Sequence, residues 1–238
     1  MKKVTVILPA FNEAKAIGKV IQEIRSLPIG CQVFVVDNLC TDNTPTIALD
    51  LGVLVIYEKK KGKGMAVRTG FKHASTPYIA MIDADGTYPV GSIPAFCEAL
   101  SEYDVVKGNR KWCENGAMTK THKFGNRMLS LLASILFGHR TRDVCSGMWA
   151  FRKECLDKFN LTSTGFTLEA DLFINTVTTG CSLKELPIEY KKRIQGDKAK
   201  LMLRDGFEIG WFIIRRRLQR RIRNKTKGGC CNETTLLY

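Results

Sequence analysis

Short apolar runs alternate with amphipathic stretches over the first hundred residues. The runs are rich in β-branched residues, as buried parallel strands are, and they cover residues 4–8, 33–36, 53–57, 78–82 and 104–106. Behind the candidate N-cap Asn12, four apolar residues repeat at helical spacing: Ile17, Val20, Ile21 and Ile24. The pattern predicts a helix over residues 13–25 and therefore a strand–helix–strand unit.

The same alternation continues along the chain, with helical patterns at 44–51, 64–74 and 92–101. It predicts an α/β fold, an open and mostly parallel sheet with helices on both faces. Beyond Asn109 the pattern predicts a basic loop, an apolar helix near 123–137, a strand at 148–152, a helix near 168–179 and a strand at 183–190. Ligands of such sheets bind beyond the carboxyl ends of the strands.

The length of 238 residues and the 45% hydrophobic content are enough for one main domain and a tail. The apolar stretch after Met1 ends at Pro9 and is shorter than a signal-peptide core. The longest apolar runs, 128–137 and 209–214, fall short of the roughly 20 residues that span a bilayer.

The nine Cys form no C-x-x-C pair, so we expect reduced thiols in a cytoplasmic protein.

Positive charge is concentrated at the carboxyl-terminal end. Of the net charge of +14, residues 191–227 contribute 14 Lys and Arg against three acidic residues. Apolar residues recur there every three or four positions, which predicts a basic amphipathic helix: Phe207, Trp211, Ile214, Leu218 and Ile222. The charge favours an anionic surface and does not choose among lipid headgroups, nucleic acid and a phosphorylated substrate.

The most specific chemical motif is a D-x-D sequence, Asp83-Ala84-Asp85-Gly86, directly after the fourth apolar run. Residues two apart in an extended chain face the same way, so both carboxylates can face one ligand. Mg²⁺ or Mn²⁺, held by these carboxylates and by diphosphate oxygens, would neutralise charge on a departing nucleoside diphosphate. Taken alone, the motif is also compatible with a solvated acidic turn.

Other predicted strand ends carry ligand-type residues as well. Asp37 follows the second strand, where its carboxylate could accept hydrogen bonds from a nucleobase. The first strand ends with residues that could line the base: Pro9, Ala10, Phe11 and Glu13. A Lys- and Gly-rich stretch, 59–64, opens the third helix, and there Lys63 and free backbone N–H groups would suit a diphosphate.

These ordered motifs resemble family 2 glycosyltransferases of the GT-A fold. They are P-A-F-N-E (9–13), V-V-D-N (35–38) through D-N-T (42–44), G-K-G-M-A (62–66) and D-A-D-G (83–86). Later motifs resemble the dolichyl- and polyprenyl-phosphate sugar synthases over residues 3–201: G-N-R (108–110), D-V-C-S-G (143–147), A-F-R (150–152) and L-P-I-E-Y (186–190), with Arg193 following. The chain departs from that pattern at Asn38 and at Thr87, which leaves the donor sugar and base open.

The resemblance implies inverting, metal-dependent transfer of a hexose or N-acetylhexosamine from a GDP- or UDP-sugar to a polyprenyl (dolichyl) phosphate. It implies a catalytic domain over 1–200, divided into a nucleotide-sugar half (1–110) and an acceptor half (111–200), and a helical tail over 201–238. Asp83 and Asp85 would hold the metal. The acceptor phosphate would be bound by guanidinium groups, which match phosphate oxygens, and by a hydroxyl, the candidates being Arg110, Arg127, Arg193 and Ser146.

Two alternatives remain. Glu169 or Asp171 could act as a base toward a soluble hydroxyl acceptor, or the Arg-rich tail could bind nucleic acid in a salt-dependent manner. On the favoured interpretation the protein binds no nucleic acid and lies on the cytoplasmic face of a membrane, anchored by its tail helix, by a partner or by a homo-oligomer. The helix near 123–137 is expected to pack mainly on the core. Cys230 and Cys231 are candidates for acylation.

Overall fold

The computed structural model describes residues 4–194 and 203–228, with side chains to residue 220 in the last helix. Cys230 and Cys231 lie outside these residues. The strands are β1 (Val4–Ala10), β2 (Cys31–Asp37), β3 (Leu54–Tyr57), β4 (Tyr78–Met81), β5 (Val105–Cys113), β6 (Trp149–Arg152) and β7 (Leu183–Tyr190). The helices are α1 (Ala14–Arg25), α2 (Thr44–Asp50), α3 (Lys63–His73), α4 (Ile93–Ala99), α5 (Lys120–Phe137), α6 (Lys153–Leu156), α7 (Leu168–Thr178) and α8 (Leu203–Gly228).

The strands form one sheet in the order β3-β2-β1-β4-β6-β5-β7. Strand β6 runs antiparallel to both of its neighbours, whereas the other pairs are parallel. The predicted open and mostly parallel sheet is therefore confirmed. Strand β5 is longer than predicted, because the stretch expected to be a basic loop pairs with β7 as far as Cys113. The residues of β5 from Asn109 on are half-buried or exposed, and this part of the strand lacks the apolar pattern of the buried strands.

Helices cover both faces of the sheet, as predicted. Alternate residues of β1 point into different cores: Val6 and Leu8 pack with α1, α2 and α4, while Ile7 packs with α3, α5, α7 and α8. This alternation is the two-residue period of an extended strand. All three positions are fully buried, which explains the uninterrupted apolar run in the sequence.

Helix α1 begins differently from the prediction. Asn12 is not its N-cap; it adopts a left-handed conformation with φ of 55°, and the helix begins at Ala14. Residues at the start of α2 accept hydrogen bonds from its first free backbone N–H groups. The N–H of Glu13 donates to Thr44 Oγ1 at 2.8 Å, and the N–H of Ala14 donates to Asp42 Oδ2 at 3.1 Å. The cap is thus supplied by residues about thirty positions away in the sequence.

Two helices bury one apolar stripe and expose another. In α8, Ile209 and Ile213 pack on the core, whereas four residues of the predicted amphipathic stripe are exposed: Phe207 by 83%, Trp211 by 64%, Leu218 by 51% and Ile214 by 36%. The side chain of Ile222, the fifth residue of that stripe, lies outside the described part of the chain. Helix α5 contributes Phe137 to the core, but more of its apolar surface is exposed than expected, at Phe124, Met128, Leu131 and Ile135. In the ranges described, no helix is long and apolar enough to cross a bilayer.

The expectation that every cysteine is a reduced thiol is wrong for one pair. Cys155 and Cys181 form a disulfide with their Cα atoms 6.4 Å apart. They are 26 residues apart in the sequence, one in α6 and the other after α7, and the pairing arises only when both elements pack on the same face of the sheet. Spacing in the sequence therefore could not predict it.

Candidate active site

A cleft of about 1480 Å³ opens where β1, β2 and β4 end. Residues at the ends of these strands, or directly after them, line one end of the cleft: Pro9, Ala10, Phe11, Glu13, Asn38, Asp83 and Asp85. Helices α5 and α8 line the other end with Phe124, Met128, Leu129, Phe207, Trp211 and Ile214. The cleft is therefore polar beside the sheet and apolar between the two helices.

Asp83 and Asp85 both line this cleft, and their side chains are 24% and 14% exposed. Asp85 Oδ1 accepts hydrogen bonds from the backbone N–H of Thr87 at 3.1 Å and from its hydroxyl at 2.6 Å. Burial raises the pKa of Asp83 to about 6, and the neighbouring Asp85 and Glu169 carboxylates act in the same direction. Two crowded carboxylates facing a cavity favour a bound cation.

Lys63, the first residue of α3, partly balances this negative charge. Its ammonium lies 2.6 Å from Asp83 Oδ1 and 2.6 Å from Glu169 Oε1. Burial alone would lower the pKa of Lys63, but the two carboxylates outweigh it and raise the pKa well above its ordinary value. Lys63 therefore remains charged, next to the carboxylate pair and inside the cleft.

The start of α3 depends on two glycines and one amide. Gly62 has φ of 133°, and a Cβ on Gly64 would lie 2.6 Å from the carbonyl oxygen of Ser163, so neither position tolerates a side chain without movement. Asn38 Oδ1 accepts from Gly62 N at 2.7 Å, and its Nδ2 donates to Lys60 O at 2.8 Å. Asn38, the departure from the family pattern, thus positions the Lys-rich loop.

The predicted base-binding residues lie at this end of the cleft, with one exception. Pro9, Ala10 and Phe11 line it, and the ammonium of Lys61 lies 5.0 Å from the centre of the Phe11 ring. Asp37 is not among the lining residues; its Oδ1 accepts from the backbone N–H of Cys40 at 2.8 Å. Asp37 therefore shapes the loop after β2.

Arg110 lines the cleft in a bidentate ion pair with Asp143. Its Nε and Nη2 atoms each lie 2.7 Å from an Asp143 oxygen, and Asn126 donates to the same carboxylate at 2.9 Å. Burial alone would raise the pKa of Asp143, but Arg110 outweighs it and holds that pKa below its ordinary value. This pairing fixes the Arg110 guanidinium at the boundary between the polar and apolar parts of the cleft.

Arg193 contacts two acidic residues at the polar end of the cleft. Its guanidinium is hydrogen-bonded to Glu13, and its Nε lies 3.6 Å from Asp85 Oδ2. The backbone N–H of the next residue, Ile194, donates to Asp85 O at 3.2 Å. A segment 108 residues downstream of Asp85 therefore packs directly on the carboxylate pair.

Two predicted phosphate ligands are not brought to this cleft. Arg127 lines a neighbouring recess, which shares Arg110, Met118 and Asn126 with the cleft, and Ser146 is fully buried with no hydrogen-bond partner for its hydroxyl. Conversely, the cleft contains polar residues that the sequence analysis did not single out: Tyr88, Thr121, His122, Asn126 and Lys192. His122 and Asn126 are four residues apart on α5, which is a helical spacing that could have indicated a shared face.

Gly147 sets the position of Asp83 and provides a direct test of the site. A Cβ there would lie 2.5 Å from Asp83 Oδ2, so Gly147→Ala must displace the carboxylate. We expect a kcat reduced by at least about tenfold, since misplacements near 1 Å can cost about a hundredfold. Gly91→Ala, where nothing lies within 4 Å, is the control. Unchanged kcat in a folded Gly147→Ala protein would contradict this role of Asp83.

The mostly parallel sheet, with a polar cleft at its carboxyl edge, is the architecture of nucleotide-binding α/β domains. The chain belongs to glycosyltransferase family 2, since the family model "Glycosyl transferase family 2" matches residues 5–159. The expected fold and the expected enzyme class, a glycosyltransferase, are thereby confirmed.

Several relatives from Haloferax volcanii are similar over most of the chain. A dolichyl-phosphate hexose transferase is 34% identical over 92% of this chain and 95% of its own length. Glycosyltransferase AglJ is 34% identical over 90% of this chain and 71% of its own length. The predicted similarity to polyprenyl-phosphate sugar synthases is consistent with these relatives.

Solved structures share the fold at lower identity. Mannosyl-3-phosphoglycerate synthase from Rubrobacter xylanophilus has a TM-score of 0.73 at 19% identity, over 100% of this chain and 78% of that one. Glucosyl-3-phosphoglycerate synthase from Mycobacterium tuberculosis, in complex with Mn²⁺, UDP and its product, has a TM-score of 0.70 at 21% identity, over 90% and 77%. These matches show that this chain shares the fold of the two synthases.

Proposed function

We propose that this chain transfers a hexose or an N-acetylhexosamine, with inversion, from a GDP- or UDP-sugar to a polyprenyl phosphate such as dolichyl phosphate. One observation carries the proposal: a single cleft runs from a carboxylate pair at the sheet edge to an apolar passage between α5 and α8. A charged donor and an acceptor with a hydrocarbon chain need these two environments next to each other. The relative named dolichyl-phosphate hexose transferase supports the same acceptor class.

The donor end suits a divalent cation, Mg²⁺ or Mn²⁺. Among the residues described, no group of three or more acidic, His or Cys side chains could hold a metal by itself. Asp83 and Asp85 therefore offer the one or two carboxylates with which such ions bind when substrate phosphates complete their coordination. When bound there, the ion would stabilise the negative charge of the departing nucleoside diphosphate.

The acceptor phosphate is assigned to the boundary between the polar and apolar parts of the cleft. Arg110 and Arg193 line it there, together with Lys192, His122 and Asn126. Arg110 keeps donors beyond the two that bind Asp143, and the cationic groups together match a phosphate dianion. Phe124, Met128, Phe207, Trp211 and Ile214 would then surround the first isoprene units.

The reaction needs little acid–base chemistry from the protein. A phosphate oxygen of the acceptor attacks the anomeric carbon on the side opposite the diphosphate, and the bond from that carbon to the diphosphate oxygen breaks with its electron pair leaving on the nucleoside diphosphate. The attacking phosphate is already ionised, so no proton has to be removed. Lys63, Arg110 and Arg193 contribute by orienting the two anions and balancing their charge.

The alternative with a soluble hydroxyl acceptor needs a base in the cleft. Asp171 is fully buried and bound to Ser163 N at 2.8 Å, to Asn175 Nδ2 at 2.9 Å and to Arg216 at 3.1 Å. It is therefore committed to structure. Glu169 does line the cleft, but its carboxylate is already engaged in an ion pair with Lys63. The lipid phosphate is accordingly the favoured acceptor.

The test incubates the protein and Mn²⁺ with a panel of GDP- and UDP-sugars and one of three acceptors: farnesyl phosphate, methyl phosphate or a free sugar. We expect a charged glycolipid from farnesyl phosphate, and little product from methyl phosphate, because the latter cannot occupy the apolar passage. Transfer to a free sugar at a higher rate, with no glycolipid from any donor, would contradict the proposed acceptor.

A matched pair of variants tests the passage itself. Trp211→Ser should raise the KM for farnesyl phosphate about tenfold or more, since burying a large aromatic side chain is worth about 1.5–3 kcal/mol. Leu54→Ser, at an exposed position on the edge strand β3, should leave the KM unchanged. Equal KM values for the two folded variants would show that α8 does not form part of the acceptor site.

A further inference from the structure

A second recess, of about 720 Å³, lies beside α5 and is lined by β5, α5 and residues 140–143. Arg127, which the sequence analysis assigned to the acceptor phosphate, lies in this recess with Lys111, Lys123, Arg140 and Arg142. The reaction proposed above uses none of these five side chains. The recess shares Arg110 and Asn126 with the cleft, but its five other cationic side chains have no role in the proposed transfer.

The positive charge of the recess is not compensated within the part of the chain that the structure describes. There, Lys123, Arg127, Arg140 and Arg142 form no ion pair with a carboxylate. The acid in the wall, Asp143, is buried and paired with Arg110. Four exposed cations around a hollow, without an acidic partner, favour an anion.

The recess continues into exposed apolar surface on α5. Lys123 and Arg127, four residues apart, line the recess together with Leu131, which is 54% exposed. Ile135, four residues beyond Leu131, is 70% exposed and extends this apolar surface. A ligand with a phosphate and a hydrocarbon chain would contact both surfaces at once.

We infer that this recess binds the phosphodiester headgroup of an anionic phospholipid, at a site beside the donor and acceptor cleft. The hydrocarbon chains of the lipid lie along Leu131 and Ile135, and the phosphate lies among Arg127, Arg140 and Arg142. This fits a lipid better than a free phosphate, since a free phosphate would use the cations and leave the apolar stripe in water. Headgroup binding would hold α5, one wall of the acceptor passage, at the membrane surface.

The test measures flotation of the full chain with phosphatidylglycerol-containing vesicles and with pure phosphatidylcholine vesicles, in the absence of metal, nucleotide-sugar and acceptor. The recess variant is Arg127→Gln with Arg140→Gln, and the control is Lys72→Gln with Lys158→Gln, which removes two exposed charges elsewhere. Each basic residue near an anionic leaflet contributes about 1 kcal/mol, so the recess variant should bind the anionic vesicles about ten- to thirtyfold more weakly. The control should change by less than about twofold.

Three outcomes would overturn the inference. The first is an equal loss of vesicle binding in the recess variant and the control. The second is wild-type protein that binds pure phosphatidylcholine vesicles as strongly as the anionic ones. The third is a recess variant that keeps its vesicle binding but loses affinity for glycerol 1-phosphate or an oligonucleotide. A second pair, Lys123→Gln with Arg142→Gln, repeats the test should the first variant melt at a lower temperature. Because no reaction is measured, the result is independent of the proposed transfer.

Discussion

Replacing Asp85 by Asn is expected to lower kcat/KM for nucleotide-sugar turnover about a thousandfold or more. Asn keeps an oxygen that can accept both hydrogen bonds from Thr87, so the local fold should survive while the negative charge is lost. A divalent ion contributes several kcal/mol to stabilising a leaving diphosphate, and about 4 kcal/mol corresponds to a factor of about a thousand in rate. Turnover should be measured by release of the nucleoside diphosphate across a Mn²⁺ titration.

The matched control is Asp50→Asn, an exposed acid at the end of α2. It removes the same charge from the protein and should leave kcat/KM within about twofold. Calorimetric titration with Mn²⁺ and a nucleoside diphosphate should show weaker metal binding to Asp85→Asn alone. A folded Asp85→Asn protein that keeps its turnover within about threefold would eliminate the proposed metal site.

Replacing Asp143 by Asn is expected to destabilise the fold by about 3–5 kcal/mol at neutral pH, because it leaves the buried Arg110 charge without its carboxylate. Asp143 is 2% exposed and binds Arg110 through three hydrogen bonds, two from the guanidinium and one from the backbone N–H. The measurement is the free energy of unfolding from urea denaturation, with the urea dependence compared between variants to check that unfolding remains two-state.

The destabilisation caused by Asp143→Asn should become smaller as the pH is lowered. The pKa of Asp143 is lower in the folded protein than its ordinary value of about 3.9, so its contribution to stability is complete above about pH 4 and is lost as the pH falls through the folded pKa. The difference in stability between the wild type and Asp143→Asn should therefore narrow below about pH 4. A difference that stays constant from pH 7 to pH 3 would be inconsistent with an ionised Asp143.

A surface ion pair provides the comparison. Asp157→Asn removes the partner of Lys153, in a pair whose Asp157 side chain is 57% exposed. Exposed pairs contribute about 0–1 kcal/mol, so this variant should lose less than about 1 kcal/mol. A loss at Asp143 no larger than this would show that Arg110 finds another partner or reaches water.

Much of the fold could be predicted because its strands are buried on both faces. Val6, Ile7 and Leu8 are apolar without interruption for this reason. The predicted strand was shorter than β5 because the residues from Asn109 to Cys113 are half-buried or exposed and mostly polar, which is not the pattern of a buried strand. The predicted N-cap of α1 was wrong because the groups that cap this helix, from Asp42 and Thr44, are distant in the sequence.

The carboxylate pair, Lys63 and the first-strand residues of the site could be predicted because they follow strands, and the carboxyl ends of parallel strands meet at one edge. The acceptor end could not be predicted in the same way. Arg127 and Asn126 are adjacent in the sequence, but helical geometry turns their side chains about 100° apart, and Arg127 does not line the cleft. Ser146 was predicted to bind the acceptor phosphate because of its motif, but the structure buries its hydroxyl.

By itself, the sequence determined the alternation of strands and helices, the carboxylate pair at the sheet edge and the family, because apolar periodicity and short motifs are local properties of the chain. Tertiary structure alone decided the Cys155–Cys181 bond, the pairing of Lys63 with both Asp83 and Glu169, and the exposure of the α5 and α8 stripes. Each of these depends on which residues, distant in sequence, the packing of helices against the sheet brings within a few ångströms. No local pattern contains that information.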